Sequence, residues 1–264
     1  MNRDSNNLSS EELSQIELIR DYWNKNPFEY ELSKSSPGTI DYFLDVESHY
    51  NQKLGYLNKI IDYNSLNGKK ILEIGCGTGS ALVHFAKAGA IVSGVDISDF
   101  AIQMSRKNLE LHNLNAEVFQ KNGETLNYKD DSFDLVVAIQ TLSYTPNPDK
   151  MIQEIHRVLK KGGEAYLIVH NYNSWLNILY KVFNNKPPRE EAPAFNQYSI
   201  KQFEELLNCF SDIEITTDRF PYKTDRNNNV LTILYNTLFV PAFNLIPKKV
   251  LKSYGHHIIA KVVK

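Results

Sequence analysis

The segment Lys70-Ile71-Leu72-Glu73-Ile74-Gly75-Cys76-Gly77-Thr78-Gly79-Ser80 runs an apolar strand into three glycines spaced two apart, and Ala81 to Ala88 continues as an amphipathic helix. A strand, a tight loop and a helix start in that order commit the chain to an α/β fold and mark the loop as the place of a nucleoside-bearing cofactor. Glycine is needed where φ is positive or where a ligand comes too close to the backbone for a Cβ. The helix after the loop offers unpaired N–H groups and the positive end of its dipole, which favour a carboxylate or phosphate nearby.

Spacing then separates two classes of ligand. Dinucleotide binders put the third glycine three residues after the second, where this chain has Ser80; here it falls one residue earlier, at Gly79. Glu73, two residues before the first glycine, would repel a pyrophosphate and suits a cationic cofactor. Ile91 to Asp96 is a second apolar strand that ends in a carboxylate, roughly 20 residues downstream, where a group accepts both ribose hydroxyls. Asp96 could instead cap the next helix, but Ser98 or Asp99 can fill that role.

Further strands are expected at Ala116 to Gln120, at Phe133 to Ala138 after the Asp130-Asp131-Ser132 turn, at Glu164 to His170, at Ile213 to Thr217 and at His256 to Val263. Pro148 to Leu159 reads as an amphipathic helix, with Met151, Ile152, Ile155, Val158 and Leu159 on one stripe and Lys160-Lys161-Gly162-Gly163 at its end. Gln140-Thr141-Leu142-Ser143-Tyr144 leaves the C-terminal end of the fourth strand, where open α/β sheets put their ligands.

The glycine loop, the Asp130-Asp131-Ser132-Phe133-Asp134-Leu135-Val136 segment and the run Ile155-His156-Arg157-Val158-Leu159-Lys160-Lys161-Gly162-Gly163 together resemble the class I S-adenosylmethionine-dependent methyltransferases of small-molecule type, continuously from about Gly68 to Asn171. The resemblance implies a Rossmann-like seven-stranded sheet, mostly parallel with its last strand antiparallel, flanked by helices. It implies S-adenosylmethionine as cofactor and S-adenosylhomocysteine as product. The residues that would hold it are Glu73, Gly75, Cys76, Gly77, Gly79, Asp96, Ile97 against the adenine face, Asn122, Gly123 and Gln140, with Tyr22 from an N-terminal lid. Asn122 stands where the family carries an acid that reads the adenine amino group; it keeps a carbonyl acceptor and loses the charge. Ser143 and Tyr144 stand where many relatives carry a Glu–His pair. Asp134 is expected to be structural, holding the start of its strand.

For such a reaction the protein mainly aligns a nucleophile behind the methyl carbon and excludes water. His170, at the end of the fifth strand, is the candidate general base, and Tyr144 is a second candidate as donor or positioning ring. His256 and His257 are adjacent on an expected strand, where neighbours face opposite sides, so no shared metal is expected.

Residues 1–67 are expected to form a helical lid or cover, with helices from Ser10 to Asn24 and from Ile40 to Tyr63. Their aromatics Tyr22, Trp23, Phe28, Tyr30, Tyr42, Phe43 and Tyr50 serve as core or close over the cofactor. Residues 68–264 form the cofactor-binding core, with substrate-cap inserts at about 171–198 and 220–254. The apolar run Val230 to Ile246 is interrupted by Asn236, Pro241 and Asn244 and is too short for a membrane span, so it is expected to cover the substrate pocket. Lys248, Lys249 and Lys252 beside it keep a contact with lipid or a lipid-like substrate open.

A net charge of −2 with no extended basic run argues against nucleic acid as a partner. The two cysteines, Cys76 and Cys209, have neither zinc nor disulfide spacing, and Met1 to Asn7 lacks the apolar core of a signal peptide; both fit a cytoplasmic setting. The expected activity is methyl transfer to oxygen, nitrogen or carbon of a small, apolar or amphipathic acceptor, whose identity the sequence leaves open together with the oligomeric state. Two alternatives stand beside it: a nicotinamide-dependent oxidoreductase on a similar sheet, and a non-catalytic regulatory module that binds S-adenosylmethionine.

Overall fold

Side chains alternate across the central strands as a period of two requires. On strand β1 (Lys70–Ile74), Ile71 packs into one apolar layer while Leu72 and Ile74 pack into the other. The computed structural model of the chain describes residues 10–27, 32–223 and 230–264. Phe28, Tyr30 and the Met1–Asn7 segment lie outside the described residues.

Helices α1 (Ser10–Lys25), α2 (Ile40–Leu54) and α3 (Leu57–Ile60) precede β1. The single helix expected from Ile40 to Tyr63 is broken at Gly55 and Tyr56, after which the short α3 buries Leu57. Next come α4 (Ser80–Lys87), β2 (Ile91–Asp96), α5 (Asp99–Leu111), β3 (Glu117–Gln120), β4 (Phe133–Ile139), α6 (Pro148–Val158), β5 (Leu159–His170), α7 (Trp175–Val182), α8 (Ile200–Leu206) and β6 (Asp212–Asp218). The chain ends with α9 (Val230–Leu234), a π-helical turn Tyr235–Phe239, α10 (Val240–Asn244), α11 (Lys248–Leu251) and β7 (His257–Val263).

Among the described residues these strands form one sheet in the order β3-β2-β1-β4-β5-β7-β6. The first five are parallel, and β7 runs antiparallel to both β5 and β6. One face is covered by α6 and α8 through Met151, Ile155, Phe203 and Leu207. The other is covered by α4 and α5 through Leu82, Phe85, Ile102 and Leu109. The chain leaves β1 toward β2 and β3, then returns to build β4 on the opposite side. A crevice therefore opens where connections diverge from β1 and β4, at their C-terminal ends.

The fifth strand begins earlier than the sequence suggests, at Leu159 rather than Glu164. The chain end holds this stretch extended: Lys264 N donates to Gly163 O at 3.0 Å, and Gly162 N donates to Lys264 O at 3.1 Å. Asp134 has the expected structural place, accepting from Lys70 N at 2.9 Å and from Lys160 Nζ at 2.7 Å, which ties the starts of β1, β4 and β5 together.

Candidate active site

The glycine loop is shaped by two close approaches. Gly75 has φ +74°, and a Cβ there would fall 2.2 Å from Thr141 Oγ1, whose hydroxyl donates to Ile74 O at 2.7 Å. Gly79 has φ +81° at the start of α4, where a Cβ would sit 3.1 Å from Ser105 Cα on α5. Gly75 N and Cys76 N both donate to Val95 O, at 2.7 and 3.1 Å, so the loop folds back over the end of β2.

That end carries Asp96. Its carboxylate accepts from Gly77 N and from Ser98 N, each at 2.9 Å. Ser98 takes the capping role itself, its hydroxyl accepting from Ala101 N at 3.2 Å. Asp96 is thus left to the cavity. Burial raises its pKa, opposed by the backbone hydrogen bonds from Ser98 and Gly77.

A cavity of about 240 Å³ opens over the C-terminal ends of β1, β2 and β4. Of the residues singled out in the sequence, Glu73, Gly75, Cys76, Gly77, Asp96, Ile97, Asn122, Gly123, Gln140 and Tyr144 line it. Gly79 and Tyr22 lie off its wall. Gly79 serves the packing of α4 on α5, and the Tyr22 hydroxyl donates to Glu191 Oε1 at 3.2 Å in the insert. Its neighbour Trp23 takes the place on the wall, edge-on to Tyr144 with ring centroids 4.9 Å apart. Arg189 stands 5.3 Å from the Trp23 ring and donates to Asn26 O at 3.1 Å, so the insert and α1 meet over the cavity.

Asn122 spends its carbonyl on the turn, accepting from Glu124 N at 3.0 Å. Glu124, which the sequence did not single out, is buried and also lines the cavity; Thr145 Oγ1, Asn147 N and Asn147 Nδ2 all donate to its carboxylate. Cys76 is buried with its Sγ 3.6 Å from Ser105 Oγ, and burial pushes its thiol pKa up, which makes it a packing residue and not a nucleophile.

At the other end of the cavity the wall holds Tyr144, Arg219 and His257. His170 stands behind them. Its Nε2 lies 3.3 Å from the Tyr144 hydroxyl, while its Nδ1 is buried with no hydrogen-bond partner among the described residues. Burial first, then the charges of Arg219 and Lys53, lower the His170 pKa to about 3, so the ring is neutral at neutral pH. Burial likewise pushes Tyr144 up to about 12, which keeps its proton on.

His257 has a defined tautomer. Arg219 can only donate, and its NH1 lies 3.0 Å from His257 Nε2, with Gln140 Nε2 at 2.8 Å from the same atom. The ring proton is therefore on Nδ1, 2.7 Å from the Tyr56 hydroxyl. Gln140 reaches this atom from an αL backbone with φ +63°.

His170, His256 and His257 each offer a nitrogen within 4.8 Å of the others, and the His256 and His257 rings are 5.3 Å apart. The expectation that His256 and His257 face apart fails because His256 precedes β7, so strand alternation does not govern it. The arrangement nevertheless opposes a cation: the His257 lone pair is taken by Arg219, whose fixed positive charge stands against the cluster. Arg219 and His257 carried no motif; only the β5–β7 pairing, which puts His170 opposite His257, brings them to the site.

Residues 72–167 match a family of methyltransferase domains. The chain is 29% identical over 168 residues to the ubiquinone biosynthesis O-methyltransferase of Coxiella burnetii, covering 63% of this chain and 64% of that protein. It is 34% identical over 151 residues to the phosphatidylethanolamine N-methyltransferase of Cereibacter sphaeroides, covering 56% of this chain and 66% of that one. The chain thus spans just under two thirds of the length of these curated relatives. Among solved structures, the magnesium protoporphyrin IX methyltransferase of Synechocystis PCC 6803, with bound S-adenosylhomocysteine, shares the fold with a TM-score of 0.61 at 17% identity, covering 94% of this chain and 99% of that one. The matched segment, these relatives and the shared fold are alike in pointing to methyltransferases.

Proposed function

We propose, from these similarities and the geometry of the cavity, that the protein transfers the methyl group of S-adenosylmethionine to an oxygen, nitrogen or carbon atom of a small, apolar or amphipathic acceptor. The observation that carries this function is the pairing of Glu73 and Asp96, two carboxylates on the wall of one cavity, on either side of the Gly75–Gly77 backbone. A pyrophosphate would face both negative charges. An α-amino group and a ribose diol give both carboxylates a donor, and a sulfonium adds a favourable charge. Glu73 and the glycine loop would hold the amino-acid end, Asp96 the ribose, and Ile97 with Gly123 the base.

When bound, this cofactor supplies a methyl carbon already activated for displacement. The chain's own residues align the acceptor and keep water out: Trp23 and Tyr144 meet edge to face on the wall, and Arg189 and Glu191 fasten the insert to α1 beside them. Tyr144, protonated and backed by the neutral His170, would orient the acceptor through a hydrogen bond, while His170, lowered to about 3, is too weak a base to take up its proton.

An amphipathic acceptor would suit the exposed apolar surface that the late helices carry. Leu234, Leu238, Leu245 and Val250 are exposed in the α9 to α11 segment, as are Ile178 and Val182 on α7 and Phe183 at its end; Trp175 joins the two, its ring 6.1 Å from Phe239 and 5.9 Å from Phe243. No helix among the described residues is long and apolar enough to cross a membrane, so such a surface would touch lipid from one side. Calorimetric titration with S-adenosylhomocysteine and with NAD tests the cofactor. Binding of the first alone is expected, and binding of NAD alone would turn the assignment to an oxidoreductase. Release of S-adenosylhomocysteine on adding acceptors separates an enzyme from a module that only binds.

A further inference from the structure

Arg219 places a guanidinium at the inner end of the cavity. Among the described residues it forms no ion pair, and its one side-chain hydrogen bond goes to the neutral His257. Its electrostatic neighbours are the phenols of Tyr222, Tyr56, Tyr180 and Tyr144. The adjacent carboxylate, Asp218, is turned to the backbone and accepts from Arg219 N at 2.5 Å. The backbone of Arg219 is itself held at φ +63°, fixed by Trp175 Nε1 donating to its carbonyl oxygen at 2.9 Å and by His256 N at 3.4 Å. A non-glycine residue at such a φ, pinned from several sides, keeps its side chain where the fold has put it.

Arg219 is partly buried with no counter-charge among the described residues, and holding a charge that way is costly, so folds that do it usually present the charge to something else. Here the three nearby histidines cannot compensate it, being neutral or charged with the same sign. Lys53 lines the same cavity and adds to the positive potential there. We propose that Arg219 is the specificity residue of the acceptor site and grips a carboxylate or phosphate carried by the molecule that is methylated. The inference rests on the methyltransferase assignment for the reaction after binding, but not for the binding itself. A planar guanidinium meets either oxyanion with two parallel N–H donors, and the bond to His257 holds that plane. The site thus has a sign: acidic carboxylates for the cofactor at one end, a cation for the acceptor at the other.

The test is calorimetric titration of the protein, alone and saturated with S-adenosylhomocysteine, with benzoate, inorganic phosphate and neutral benzamide. Benzoate or phosphate is expected to bind and benzamide to bind about tenfold more weakly or worse. Arg219→Gln should weaken the anion about 10- to 100-fold while leaving the affinity for S-adenosylhomocysteine unchanged, and Arg219→Lys, which keeps the charge but loses the fork, should fall between. Benzoate alone binding identifies a carboxylate-bearing acceptor class, phosphate alone a phosphate-bearing one. If neither anion binds, if benzamide matches benzoate, or if both variants bind the anion as the native protein does, the inference is overturned. Failure of S-adenosylhomocysteine to bind would instead defeat the methyltransferase assignment, and the anion titration would still report on Arg219.

Discussion

The Cβ that Gly75 lacks would lie 2.2 Å from Oγ1 of Thr141, so the end of β1 and the segment after β4 contend for one small space. Alanine at position 75 would meet two separate penalties, a steric overlap and a left-handed φ of +74° that costs roughly 1–3 kcal/mol for a residue with a side chain. Gly75→Ala is therefore expected to lower stability and to abolish binding of S-adenosylhomocysteine. Adding Thr141→Ala removes the Oγ1 and Cγ2 overlaps, leaving a tight 3.0 Å approach to the Thr141 Cβ and the φ penalty, so the double variant should regain part of the stability. Denaturant unfolding reads the first effect and calorimetry the second; a Gly75→Ala protein with native stability and affinity would refute the cradle.

Asp96 is expected to act on the ribose and not as a helix cap, because Ser98 already caps α5. Asp96→Asn should weaken S-adenosylhomocysteine about 10- to 100-fold, the loss of hydrogen bonds to a charged acceptor. The native protein should also discriminate against a 2′-deoxy analogue, and Asp96→Asn should not. Equal discrimination by both proteins would move the ribose elsewhere.

Tyr144 and His170 are expected to work as one unit, since only Tyr144 lines the cavity and His170 reaches it through the 3.3 Å contact. Tyr144→Phe should lower kcat about 10- to 100-fold with the cofactor affinity unchanged, and His170→Ala should add little in that background. If the two losses multiply instead, or if His170→Ala alone turns over normally with saturating acceptor, the coupling is refuted.

The glycine-loop end of the cavity was legible because its residues are local in sequence: glycines, a strand carboxylate and a cap sit within a few positions of one another and have backbone reasons to be there. Glu73, Gly75, Gly77 and Asp96 fall on one cavity as their spacing implies. The opposite end was not. Arg219 comes just after an edge strand and His257 opens the last strand, and nothing near either residue indicates a partner. Their contact depends on β7 inserting antiparallel between β5 and β6, a long-range pairing that no local pattern encodes. Gly79 and Tyr22 show the opposite error: both lie in or beside a recognisable motif, yet one serves helix packing and the other an insert contact.

Acid should destabilise the protein through its buried histidines, with a sign set by the direction of their shifts. Burial chiefly, with Arg219 and Lys53, lowers His170 from an ordinary value near 6.5 to about 3, and His256 and His257 shift in the same direction. Between those two values the unfolded chain takes up a proton that the native ring refuses. Stability therefore rises with pH across that window: it is fully present above about 6.5 and is lost as pH falls toward 3. One such ring contributes at most about 1.4 kcal/mol per pH unit. Asp96, whose pKa burial raises, acts in the other direction and softens the loss. Urea unfolding in a series from neutral pH to mildly acidic buffers should show stability falling by about 1 kcal/mol or more for the first full pH unit below the histidine midpoint. His170→Gln, which removes one titrating ring, should flatten that slope. A variant whose stability falls in parallel with the native protein would show that His170 is not held neutral by the fold.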